Sequence, residues 1–202
     1  RYTWNFNVLT VVPYAGDGLQ RIYETILKWF FAKFPSSVSG QTKNLVNACL
    51  DVYEMAGKHL LPTPAKSHYL FNLRDIGKVF QGICFCEKES LPGGDELLKV
   101  WAHEIQRVFQ DRLVDDADLE WFEGMLKEKM NEHFKKKWEQ LVKLEPMIWC
   151  SFEFKKEPWY RECADHGHLV AQCVERLKDY NEENSKNIMN LTLFTNFVGH
   201  VA

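Results

Sequence analysis

Apolar residues recur at the three- and four-residue spacing of a helix along most of the chain, and this periodicity predicts a mainly α fold. Asp17, followed by Gln20 three positions later, resembles a capping box at the start of the first helix. A Pro-Ser-Ser-Val-Ser-Gly loop over residues 35–40 ends it. The predicted helical stretches are residues 19–34, 45–56, 73–83, 98–113, 119–141 and 169–177.

Two short segments have the character of strands. Residues 7–12 (NVLTVV) are rich in β-branched side chains and precede Pro13, which predicts a short buried strand. Residues 147–152 (MIWCSF) follow Pro146 and predict a second extended segment. A polar linker over residues 181–186 leads to a last apolar element that opens at residues 191–194.

The composition permits a large hydrophobic core, and the net charge is not positive. The chain has 202 residues, of which 46% are hydrophobic and 14% aromatic, enough for one large domain or two small ones. The formal net charge of −3 offers little attraction to nucleic acid or an anionic membrane. No apolar run approaches the roughly 20 residues that span a bilayer. We therefore expect neither nucleic acid nor membrane as a partner.

The cysteines predict reduced thiols in an intracellular protein. Six are scattered along a chain that lacks the short, secreted pattern of a disulfide framework. Cys163, His166, His168 and Cys173 could each bind a metal, but their spacing does not match the paired ligands of structural zinc sites. We expect no metal site. No signal peptide is visible, and we expect the chain to be an excerpt because Arg1 stands within an element.

Signatures of catalysis are missing from the sequence. There is no G-x-x-x-x-G-K-[ST] loop to hold phosphates, and no apolar strand ends in Asp-Glu to hold magnesium. No nucleophile elbow or other triad signature accompanies the serines and histidines. We therefore expect no catalytic residue, and neither tight nucleotide binding nor hydrolysis by this chain alone.

Arg74 is the main candidate for a binding residue. Asn72 is a predicted N-cap and Asp75 completes a capping box, so Arg74 lies in the first turn of a helix. A cation at that positive end is disfavoured by roughly 0.3–1 kcal/mol. Something anionic should compensate, either a nearby carboxylate in a structural salt bridge or the phosphate of a nucleotide.

Two long blocks carry a family resemblance. The helical lid of the third AAA+ module of dynein heavy chains is resembled by residues 62–82 and by residues 98–116 (LKVWAHEIQRVFQDRLVDD). The segment FNLRD at 71–75 resembles axonemal more than cytoplasmic heavy chains. The resemblance extends over nearly the whole chain. It implies that residues 1–15 end the large α/β subdomain of the third module with its edge strand, 16–145 form its helical lid, and 146–202 open the fourth module.

The same resemblance implies a function and two site residues. Arg74 would be the sensor-2 arginine on bound nucleotide, and Arg1 would match an arginine-rich motif that points at the neighbouring module's nucleotide. Trp4 and Asn5 stand where the family usually has arginine and histidine, a departure that weakens the arginine-finger role of Arg1; a plain surface cation is the alternative.

For the whole protein the resemblance implies an ATP-driven microtubule motor of a cilium or flagellum. ATP or ADP with Mg²⁺ would bind elsewhere in that protein. Its partners would be neighbouring AAA+ modules, other dynein subunits and, through a stalk outside this chain, microtubules. The alternative is a helical protein-interaction module that shares only the fold and has no nucleotide dependence.

Overall fold

A computed structural model describes residues 2–12, 14, 16–143, 145–151 and 159–201. Within these ranges the chain is mainly helical, as predicted, with one small antiparallel sheet. The α-helices are α1 (Gly16–Phe30), α2 (Ser36–Ser39), α3 (Thr42–His59), α4 (Leu73–Ile83), α5 (Gly94–Phe109), α6 (Asp116–Phe134), α7 (Trp138–Leu141), α8 (His166–Glu183) and α9 (Thr195–Val201). The strands are β1 (Trp149–Cys150) and β2 (Arg161–Glu162), with Trp149 opposite Glu162.

The main core lies between the first six helices. α4 packs on α5, α3 on α6, and α1 on α3. Trp101 in α5 is fully buried, and its indole Nε1–H donates to Sγ of Cys49 on α3 at 3.2 Å. The buried residues of this core run from Leu27 to Trp149 along the chain. Burial of large apolar side chains, at about 1.5–3 kcal/mol each, therefore fixes α4 and α5 against one another.

The predicted strand at residues 7–12 is wrong. These residues are extended coil and their apolar side chains face solvent, with Val11 89% exposed. The described residues include no sheet beside them, and a strand forms only where a neighbour accepts its backbone hydrogen bonds. A 3₁₀ turn at Tyr2–Asn5 precedes this coil.

The fifth predicted helix is shorter than its apolar pattern. It was expected to continue to residue 141, but α6 ends at Phe134 because Lys135 adopts left-handed backbone angles (φ 56°, ψ 30°). The Lys135 N–H bonds the carbonyl of Asn131 at 3.0 Å, which closes the helix. The chain then turns and Trp138 and Leu141 reach the core from the separate helix α7.

The segment after residue 145 has a small core of its own. Ile148, Cys150, Cys163, Leu169 and Val198 form a second buried cluster beneath α8 and α9. Met147 and Trp149 belong instead to the main core, so β1 stands between the two clusters. The predicted extended segment at 147–152 is confirmed at β1, although residue 152 lies outside the described residues.

Candidate functional site

The amino end of α4 is capped as the sequence predicted. The Asn72 side-chain oxygen accepts the Arg74 backbone N–H at 2.8 Å, and the Asn72 N–H donates to Oδ2 of Asp75 at 2.9 Å. The Asp75 N–H also reaches the Asn72 carbonyl, at 3.0 Å. These bonds satisfy amides of the first turn that would otherwise be open to a ligand. An anion at this helix end must therefore be bound chiefly by side chains.

Asp75 serves a second contact besides the cap. Its side chain is only 3% exposed, and its other oxygen, Oδ1, accepts a charged hydrogen bond from Nη2 of Arg112. Lys78 lies farther from the same oxygen, at 4.0 Å. Arg112 follows α5 and was not singled out from the sequence. The carboxylate next to Arg74 is thus already paired.

Arg74 itself is exposed, and its guanidinium has no hydrogen bond or ion pair within the described part of the chain. Lys78 and Arg112 are two further cations at this helix end, and among the described carboxylates Asp75 lies within 4.0 Å of both. The geometry gives Arg74 no carboxylate partner of the kind that a structural salt bridge requires. A free guanidinium at a capped, positive helix end can bind a phosphate oxygen.

A second group of polar contacts joins α5 to the segment after residue 145. Glu104 is 1% exposed, and Oε1 accepts the Tyr160 hydroxyl at 2.5 Å while Oε2 accepts Arg107 Nη2 at 2.6 Å. Burial, and then the negative charge of Glu104, raise the pKa of Tyr160 well above its usual range. This phenol therefore stays protonated and keeps donating.

Two further bonds from α5 hold the same segment. His103 Nδ1 donates to the Met147 carbonyl at 3.0 Å, and Lys99 Nζ lies 2.7 Å from Glu162 on β2. Burial lowers the pKa of His103, so the ring is neutral at pH 7. The sequence prediction missed these contacts because Met147, Tyr160 and Glu162 are distant along the chain from the α5 residues that bond them. Its one local signal is the acidic Glu104 beside apolar Ile105 in the middle of a buried helix.

The four residues that could have bound a metal are not gathered by the fold. No three of Cys163, His166, His168 and Cys173 bring their ligand atoms together; the one cluster found among the described residues is Asp51, Glu132 and His133. There Lys129 Nζ lies 2.6 Å from Glu132 and 3.8 Å from Asp51. An ammonium thus already supplies the positive charge that those carboxylates need.

The six cysteines are thiols and not disulfides. Burial raises the pKa of the Cys49 thiol to about 12, and burial likewise raises the pKa of Cys86. Activated cysteines have a lowered pKa instead. These two buried thiols therefore serve packing and not nucleophilic chemistry. Arg1, the other predicted nucleotide residue, lies outside the described residues.

Comparison with known proteins identifies the helical region. Residues 45–143, which include α4, α5 and α6, match the AAA+ lid domain. Over the described residues, no helix combines the length and apolar content that crossing a membrane requires.

Almost the entire chain is similar in sequence to part of several much longer proteins. It is 36% identical over 92% of its length to the ciliary dynein beta chain of Heliocidaris crassispina. Identity is 37% over 92% to dynein axonemal heavy chain 11 of Sus scrofa and 33% over its full length to dynein axonemal heavy chain 3 of Homo sapiens. The chain spans only 4–5% of the length of these relatives.

Proposed function

The chain belongs to the dynein heavy chain family and contains its AAA+ lid domain, and we propose that this lid senses nucleotide through Arg74. The lid is that of the third AAA+ module. Residues 1–15 end the large subdomain of that module, residues 16–145 are the lid, and residues 146–202 open the fourth module. The match to the lid domain over residues 45–143 lies inside the proposed lid.

One observation carries the sensing role. Arg74 is exposed at the positive end of α4, and within the described residues its guanidinium has no partner, because Asp75 is occupied by Arg112 and by the cap. A cation left at this end of a helix is disfavoured until an anion arrives. A nucleotide phosphate held by the large subdomain supplies that anion. Arg74 would therefore contact it only when the lid lies over the nucleotide.

The bonds from α5 support the relay of nucleotide state to the next module. α4 packs on α5, and α5 holds Met147, Tyr160 and Glu162 through His103, Glu104 and Lys99. A lid that moves when Arg74 engages nucleotide would therefore carry the opening segment of the fourth module with it. Motion of packed elements as one body is a usual form of such transitions.

The whole protein is then an ATP-driven microtubule motor in the axoneme of a cilium or flagellum. ATP or ADP with Mg²⁺ occupies sites formed mainly outside this chain, and this chain contributes no catalytic residue. Neighbouring AAA+ modules and other dynein subunits are its partners, and a stalk outside the chain contacts the microtubule. A second nucleotide contact, from Arg1 to the neighbouring module, rests on the sequence alone. The alternative helical interaction module differs in having no nucleotide dependence.

The substitution Arg74→Ala in the intact heavy chain tests the sensing role. We expect the Kd for nucleotide at the third module to rise about 10- to 100-fold, as for loss of one charge-assisted hydrogen bond of about 1.5–3 kcal/mol. The melting temperature should stay within about 2 °C, since Ala favours helix and the buried face of α4 is untouched. Binding is measured with a fluorescent nucleotide after the other phosphate-binding loops are inactivated.

Arg21→Ala is the matched control. Arg21 is an exposed arginine on α1 whose side chain makes none of the contacts described above, and its loss should leave the Kd unchanged. If Arg74→Ala binds nucleotide as tightly as Arg21→Ala does, Arg74 is not a sensor. A large loss of stability with normal binding would assign it to the fold instead.

A further inference from the structure

We propose that Arg112 is the positioning residue for Arg74, because its bond to Asp75 locks the first turn of α4 in the geometry that presents the Arg74 guanidinium. This proposal rests on the proposed function and adds to it a residue that never touches the nucleotide. Arg112 ends the 3₁₀ turn Gln110–Arg112, directly after α5. It thereby connects α5 to the nucleotide-facing turn.

The bonds of Arg112 concentrate on the entrance to α4. Nη2 donates to Oδ1 of Asp75, and Nη1 donates to the Leu70 carbonyl at 3.4 Å. The guanidinium also lies over the ring of Phe71, 5.8 Å from its centroid. The Arg112 carbonyl in turn accepts Nε2 of His68 at 2.9 Å. Arg112 thus holds residues 68–75 against the end of α5, both through its side chain and through its backbone carbonyl.

Asp75 transmits this attachment to Arg74. Its two oxygens accept different hydrogen bonds, since Oδ2 accepts from the Asn72 N–H and Oδ1 accepts from Arg112 Nη2. A carboxylate this buried needs a cation beside it. Without Arg112, the cation left within 4.0 Å of this carboxylate among the described residues is Lys78, whose side chain is 55% exposed, so Asp75 would be held less firmly and its Oδ2 would cap Asn72 less firmly. The first turn would loosen, and Arg74 would lose its fixed direction.

The arrangement also keeps Asp75 from neutralising the sensor. Arg74 and Asp75 are adjacent on a helix and point about 100° apart, so the native turn holds them away from each other. A frayed first turn removes this restriction. Arg112 therefore serves Arg74 twice, by fixing the turn and by occupying the carboxylate that could otherwise pair with it.

The test compares Arg112→Gln with Lys78→Gln in the intact heavy chain. Both substitutions remove one positive charge near the same carboxylate, but only Arg112 bonds it closely. Hydrogen exchange of amides 74–78 without nucleotide reports on the turn, and the Kd for MgADP reports on Arg74. We expect Arg112→Gln to speed this exchange and to raise the Kd, each by about tenfold, and Lys78→Gln to change either by less than about twofold.

A double substitution separates positioning from a general effect. In an Arg74→Ala background, Arg112→Gln should change the Kd by less than about twofold, since the residue it positions is gone. Arg112→Lys should show an intermediate Kd, because lysine keeps the charge and loses the planar fork. This milder variant also gives the answer if the glutamine variant fails to fold.

The outcomes distinguish the two proposals. A normal Kd for Arg112→Gln beside a weakened Arg74→Ala overturns the role of Arg112 and leaves the sensor intact. Equal losses in both backgrounds, or unchanged amide exchange, also overturn positioning. A normal Kd for Arg74→Ala overturns the sensing function itself, and positioning with it.

Discussion

Glycine at position 82 is required by the buried carboxylate of Glu104. A Cβ placed on Gly82 would lie 2.0 Å from Oε2 of Glu104. Glu104 cannot turn aside at little cost, because the Tyr160 hydroxyl and the Arg107 guanidinium hold its two oxygens. Because Gly82 on α4 has no Cβ, Glu104 has room to make the bond that joins α5 to the segment after residue 145.

The substitution Gly82→Ala should destabilise the chain by about 1–3 kcal/mol, because it overpacks the site and displaces a bonded carboxylate. Gly124→Ala on α6 is the control, since a Cβ there meets nothing within 4 Å. It should stabilise by about 0.5–1 kcal/mol through helix propensity. Urea unfolding measures both; equal shifts of the two midpoints would show that Gly82 is not constrained by Glu104.

Local chemistry explains which residues of the site were predictable. The capping box was found from the sequence because Asn72 and Asp75 stand three positions apart and bond each other's backbone. The pairing of Asp75 with Arg112 joins positions 37 apart, and no local rule connects them. Leu73 continued the apolar spacing of α4, yet it is 36% exposed, because periodicity does not tell where a packed face ends.

At the scale of elements, too, features set by local sequence were predictable, and features set by distant partners were not. α1, α3, α4 and α5 form where the apolar periodicity predicted helices, because helical hydrogen bonds are internal to each segment. The strand at residues 7–12 failed because a strand depends on a neighbour that the local sequence does not specify. The end of α6 was missed because lysine rarely adopts left-handed angles, so Lys135 gave no signal of a stop.

This helix end gives a prediction for α6. Lys135→Gly should stabilise the chain by about 0.5–1 kcal/mol, because glycine adopts φ 56° without the strain that a side chain brings. Lys137→Gly is the control, since Lys137 has φ −89° and gains nothing from glycine. Thermal unfolding compares them. A Lys135→Gly variant no more stable than Lys137→Gly would mean that the left-handed turn carries no strain.

The described part of the chain contains two cores of unequal size. α5 buries ten residues, whereas α8 buries Leu169 alone among its described residues. β1 and β2 are tied to α5, but α8 and α9 depend on the small second cluster. Regions with few buried contacts open at a lower free energy than the core. We therefore expect the chain to open first at α8.

Native-state hydrogen exchange should detect this order. The amides of α8 should exchange at least about tenfold faster than those of α5, after correction for intrinsic rates. α6, which packs on α3 in the main core, is the internal reference and should resemble α5. Equal protection of α5 and α8 would mean that the two cores unfold as one unit.

The division into two cores also has a consequence during synthesis. Every buried residue of the main core lies between Leu27 and Trp149, whereas the second cluster needs Val198. At about 5–20 residues per second, a ribosome adds the 52 residues from Trp149 to Val201 in about 3–10 s. Arg74, Arg112 and the buried residues of the main core are thus translated before most of the segment from residue 146 onward, which the lid is proposed to move.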